Sequence, residues 1–163
     1  MAQIGIQAQE KDCMFTNQLA GQPSADYTIA PYTGPTATCA IGACLGFFER
    51  TKNDSSFSPR FDELMSEIIQ GRAAIWVVTS ERGVVAVAVT SVCQLPSGPV
   101  IQFRYGHSID SAASEFGLDA VVAWAKTNNI KTIELEGRAG FARKLFPKFG
   151  KVEQVSCIYR VEI

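Results

Sequence analysis

The stretch Lys131 to Gly150, KTIELEGRAGFARKLFPKFG, constrains this chain most, because it prescribes a strand, a tight Gly-Arg turn and a short basic helix in immediate succession. Ile133 and Leu135 alternate with Glu134 and Glu136, so one face of the strand is apolar and the other charged. Phe141, Ala142, Leu145 and Phe149 fall on one side at helical spacing. Gly137 permits the reversal between the two elements. Pro147 denies the helix a backbone donor and restrains Phe146 before it, which limits the helix to about two turns.

Upstream, Ser58 reads as an N-cap with Pro59 at the first helical position, and Asp62 and Glu63 lie in the first turn. Phe61, Leu64, Met65 and Ile68 form one apolar stripe, and Gly71 stands where the helix should stop. Three strands follow. Ala73 to Thr79 and Val84 to Val92 are separated by Ser80-Glu81-Arg82-Gly83, and Val100 to Tyr105 comes after the breaker Pro96-Ser97-Gly98-Pro99. An antiparallel meander is the simplest pairing. Asp110 or Ser111 can cap the next helix, whose Ala113, Phe116, Gly117, Ala120, Val121 and Trp124 share one face. The strand at Lys131 and the basic helix come next, and Val152 to Ile163 reads as one long alternating strand.

Residues 1 to 57 differ in character. Gly21, Pro23, Pro31, Gly34, Pro35, Gly42 and Gly46 interrupt every candidate element. Yet Phe15, Tyr27, Ile29, Tyr32, Ile41, Leu45, Phe47 and Phe48 are more apolar side chains than a solvated leader keeps. The expectation is an irregular N-terminal arm over 1–57 that orders against a neighbour, followed by one domain over 58–163.

The order helix, three strands, helix, strand, helix, strand resembles the GCN5-related N-acetyltransferase fold from Ser58 onward. That resemblance implies an α/β (α+β) class: a mixed sheet with an antiparallel meander, a crossover helix and a C-terminal strand-helix-strand. More narrowly, Glu67 to Ala73 with Trp76, then Trp124-Ala125, Ile133-Glu134, Gly137-Arg138, Gly140-Phe141 and Arg143, resemble the words of small bacteriophage proteins of this fold.

The chemistry of an acetyltransferase is poorly represented. The family pattern Q/R-x-x-G-x-G/A supplies backbone N–H groups to a pyrophosphate at the start of the crossover helix. Here the sequence is Arg104-Tyr105-Gly106-His107-Ser108-Ile109-Asp110-Ser111, with one glycine and an aspartate that repels phosphate. The family's general-acid tyrosine aligns with Phe146, which carries no proton to give. Tyr159 is a phenol on the last strand without a sequence signal for its placement. His107 is the single histidine and has no nucleophile motif beside it. No catalytic, cofactor-binding or metal residues are therefore assigned, and no cofactor is expected unless the acetyltransferase reading holds, in which case it is acetyl-CoA.

One basic cluster stands out. Arg138, Arg143, Lys144, Lys148 and Lys151 form a candidate partner-binding surface for phosphates or an acidic protein. The formal charge of −1 gives no global attraction to nucleic acid or to an anionic membrane, and no run reaches the roughly 20 apolar residues of a membrane span. Five cysteines without a CxxC pair read as reduced, mostly buried thiols.

These readings converge on a non-catalytic bacteriophage virion or virion-assembly protein, catalytically degenerate, resident in the virion or host cytoplasm and meeting other phage structural proteins through its arm. The alternative is an acyl-CoA-dependent N-acetyltransferase with a degenerate cofactor loop. A second alternative is a small host-factor-binding protein acting through the basic helix.

Overall fold

A computed structural model describes residues 27–49, 60–136, 146–155 and 158–162. A seven-stranded sheet forms its centre. In chain order the strands are β1 (Thr28–Tyr32), β2 (Ala73–Ser80), β3 (Gly83–Leu95), β4 (Gly98–Ser108), β5 (Thr132–Glu136), β6 (Val152–Val155) and β7 (Ile158–Glu162). Their spatial order is β1-β2-β3-β4-β5-β7-β6. Every pair is antiparallel except β4 with β5, which run parallel on either side of a crossover helix. The meander of β2, β3 and β4 is as the sequence prescribes. Its turns close on Ser80↔Gly83 and Leu95↔Gly98, where Gly83 and Gly98 take the positive φ that short hairpin turns require.

Helices cover both faces. Helix α1 (Ala37–Ala43) and helix α2 (Phe61–Ile69) lie on one side. There Ala37, Ile41, Phe48, Leu64 and Ile68 pack on Ile75, Val77, Val87, Val89 and Tyr105. Helix α3 (Ser111–Thr127) lies on the other, where Leu118, Val121, Val122 and Ala125 meet Trp76, Ile101, Phe103 and Ile133. Alternation along each strand sorts apolar residues between the two layers. Trp76 donates its indole N–H to Thr90 Oγ1 at 2.8 Å, so the buried ring leaves no donor unmet.

Several expectations are corrected. Residues 27–49, inside the expected irregular arm, supply β1, α1 and core side chains, with Ala37, Cys44 and Phe48 fully buried. Of the apolar side chains that suggested burial against a neighbour, Ile41 and Phe48 are buried within this chain and Tyr27, Ile29 and Phe47 partly so, whereas Tyr32 and Leu45 are exposed and Phe15 lies outside the described residues. The single closing strand is instead a hairpin, with β6 and β7 paired from Val152↔Val161 to Val155↔Ile158. Helix α2 takes Arg60 as its N-cap, its N–H donating to Glu63 Oε2 at 3.2 Å, whereas Ser58 and Pro59 lie outside the described residues. The expected basic helix falls mostly outside them too; its described part, Phe146–Lys148, is a 3₁₀ turn.

Candidate active site

The parallel ladder between β4 and β5 ends at Phe103↔Leu135, while β4 runs on to Ser108. The register of β4 against β3 also slips here, since Val89 pairs with Tyr105 and Thr90 with Phe103, leaving Arg104 as the extra residue of a β-bulge. The bulge resets the alternation. Phe103 packs in the α3 layer, whereas Tyr105, two residues on, packs in the α1/α2 layer. Beyond it, among the described strands only β3 accompanies the last residues of β4. Gly106 sits on this stretch, exposed, and a Cβ placed on it would meet no atom within 4 Å. The β5-side edge of β4 from Arg104 to Ser108 is therefore a gap in the ladder, a slot without a strand partner among the described residues.

Polar groups collect on the α1/α2 side of this slot. The exposed His107 imidazole lies edge-on to Phe47, with ring centroids 5.6 Å apart. The Tyr105 hydroxyl donates to the Phe47 carbonyl, tying the segment after α1 to β4. Arg104 pairs with Glu67 of α2 at 3.5 Å, both half-buried. Deeper along the strands, Gln102 Nε2 donates to Glu134 Oε2 at 3.1 Å and Gln102 Oε1 accepts from Cys93 Sγ at 3.0 Å. Glu134 is only 6% exposed. The sequence places this glutamate on the charged face of its strand, and because β5 is flanked by β4 and β7 that position is interior to the sheet.

At the mouth of the slot on the α3 side, Asp110 caps the crossover helix as expected, accepting from Ala112 N at 2.9 Å through Oδ1. Its other oxygen accepts from the Tyr27 hydroxyl. That hydrogen bond, followed by the Ala112 N–H, holds the carboxyl below its ordinary value. The loop before it is closed on itself: Ser108 Oγ receives the Asp110 N–H at 3.1 Å, and the Ile109 N–H goes to Val85 O at 3.0 Å. The slot beside Gly106 is open, whereas the first turn of α3 is filled by the chain's own carboxylate.

The remaining candidates are dispersed. Phe146 is fully buried in the α3 layer, which suits a core residue and not a proton donor. Tyr159 stands opposite Leu135 in the β5–β7 register. Arg138, Arg143 and Lys144 lie outside the described residues. Lys148 bonds Asp119 of α3 at 3.0 Å and covers the Phe149 ring, so it is partly satisfied within the chain, and Lys151 is exposed. Among the described residues no three His, Cys, Asp or Glu side chains converge as a metal site, and no helix is long and apolar enough to cross a membrane. Gln102 with Glu134, Arg104 with Glu67 and Tyr27 with Asp110 were not legible as sites. Their only sequence signal is polar residues interrupting apolar strands.

No family model and no curated protein sequence matches the chain. Solved structures do. An aminoglycoside acetyltransferase from an uncultured soil metagenomic sample, in complex with sisomicin, superposes with a TM-score of 0.63 at 14% identity, over 83% of this chain and 95% of that one. A predicted acetyltransferase with acetyl-CoA from Clostridium acetobutylicum gives 0.56 at 12%, over 78% and 91%. A probable acetyltransferase from Staphylococcus epidermidis gives 0.59 at 12%, over 80% and 85%. The fold is therefore that of the GCN5-related N-acetyltransferases. The expected non-catalytic virion or virion-assembly role is corrected by these likenesses, which are to acetyltransferases, and by the burial of residues 27–49 that were to serve as an assembly arm.

Proposed function

We propose that this protein is an N-acyltransferase that moves an acyl group from a pantetheine thioester, acetyl-CoA being the reference donor, to an amine. The observation that carries this reading is the edge of β4 past Phe103 that has no β5 partner among the described residues, with Gly106 open beside it. An extended amide chain laid along β4 there gains backbone partners in the manner of an added strand. Gly106 to Ser108 are the residues that would hold it, and bound there it supplies an activated acyl carbon.

The amine must lose a proton to attack. A C–N bond forms, the C–S bond breaks, and sulfur leaves with the electron pair and is protonated from solvent. His107, exposed on β4 past the end of the ladder and facing the α1/α2 side, takes the proton from the nitrogen. The sisomicin complex of the metagenomic enzyme supports a polyamine as the first acceptor to try.

The test is amine-dependent release of free thiol from acetyl-CoA, with sisomicin and simple diamines as acceptors. Turnover that falls about 10²- to 10⁴-fold in His107→Gln while donor binding is retained supports the assignment. Absence of amine-dependent thiol release with every acceptor, together with no donor binding, overturns it.

A further inference from the structure

The first turn of α3 does not fit the phosphates of a nucleotide-bearing donor. Asp110 places a carboxylate there, braced by Tyr27 on one oxygen and bonded to the Ala112 N–H through the other. The neighbouring backbone donors are also engaged, the Asp110 N–H by Ser108 and the Ile109 N–H by Val85. A pyrophosphate would have to displace a hydrogen-bonded anion and then sit beside it. The slot at Gly106 carries no such obstruction, because a side chain there would enter open space.

Resting on the acyltransferase reading above, we infer that the donor is a thioester whose pantetheine arm ends without a pyrophosphate. Two sources share that chemistry: a free pantetheine thioester, and an arm attached to a carrier protein through a single phosphodiester. Recognition then comes from the amide arm along β4, and the nucleotide contributes nothing to affinity. Asp110 acts as a specificity residue by charge and by occupying the helix donors. It touches no reacting atom.

The experiment measures dissociation constants of the full chain for pantetheine, coenzyme A and a phosphopantetheinylated carrier protein, alongside Asp110→Asn, which keeps a good capping side chain while removing the charge. The expected result is pantetheine binding at least as tightly as coenzyme A, with Asp110→Asn shifting the ratio about two- to fivefold or more toward coenzyme A, as removal of one charge at a helix terminus allows. Tighter binding of the carrier protein than of pantetheine assigns the protein-borne arm, and equal binding assigns the free thioester. Coenzyme A binding more than about tenfold tighter than pantetheine in the unmodified chain overturns the inference and leaves the acyltransferase reading standing. Binding of none of the three overturns both.

Discussion

The Tyr27 hydroxyl donates a hydrogen bond to the carboxylate of Asp110, 83 residues further along, and so fastens the entry to β1 onto the start of the crossover helix. Tyr27 also lies against Phe116 of the same helix, ring centroids 5.8 Å apart. One side chain therefore couples the sheet's outer strand to the loop that shapes the slot.

Tyr27→Phe should raise the Asp110 pKa toward its ordinary value of 3.8. A carboxylate held low by a native hydrogen bond contributes stability that is present above its unfolded value and is lost as pH falls through the folded one. The variant should therefore melt below the unmodified protein at neutral pH, and the two curves should converge in acid. Carboxyl-detected NMR titration with melts from about pH 7 to pH 2 checks both parts.

Gly106→Val separates folding from donor binding. The site is an exposed strand position with open space around it, and β-branched residues suit strands, so stability should hold or rise slightly. Binding of pantetheine or coenzyme A should be lost. A variant that melts normally yet still binds either compound would place the arm elsewhere.

Removal of residues 1–49 should unfold the remainder, because it strips β1 from β2 and empties Phe48, Cys44 and Ala37 from the α1/α2 layer. Phe48→Ala is the milder probe, and loss of a fully buried phenylalanine should cost about 3–5 kcal/mol in urea melts. A truncated chain that keeps a cooperative transition would restore the arm reading.

Gly150→Ala should destabilise strongly. A Cβ at Gly150 would lie 1.9 Å from the Glu162 carbonyl oxygen, a backbone atom without freedom to move aside. Overpacking of this kind costs about 1–3 kcal/mol or more, and separation of the β6–β7 hairpin from the turn before it should show in hydrogen exchange at Val161.

Thiol labelling should divide the cysteines. Cys44 is buried, and desolvation pushes its thiol up to about 11, so it should resist alkylation at pH 8 in the native state. The exposed Cys39 should label readily. Peptide mapping before and after denaturation distinguishes them.

The sheet and α3 were legible because their signals are periodic. Runs such as Ala73 to Thr79 alternate between two buried layers, and Asp110 is a capping residue at the head of an apolar stripe. β1 was hidden by Pro31, which breaks a strand signal yet is tolerated on an edge strand, where a missing N–H leaves no partner unmet. The β6–β7 hairpin was hidden because Val155-Ser156-Cys157-Ile158 has no glycine, proline, asparagine or aspartate to mark a reversal. The slot was illegible for another reason. A bulge at Arg104 and a ladder ending at Leu135 are properties of paired strands, and no residue type announces them.

The sheet's two outer strands bear on how the molecule keeps its own company. One, β1, carries a proline, Pro31, as the fourth of its five residues, and the other, β6, is four residues long with an exposed glutamate, Glu153. Both are poor templates for a neighbouring copy. The unpaired edge of β4 past Phe103 lies among the inner strands and not at the rim, so the fold discourages ribbon-like self-association.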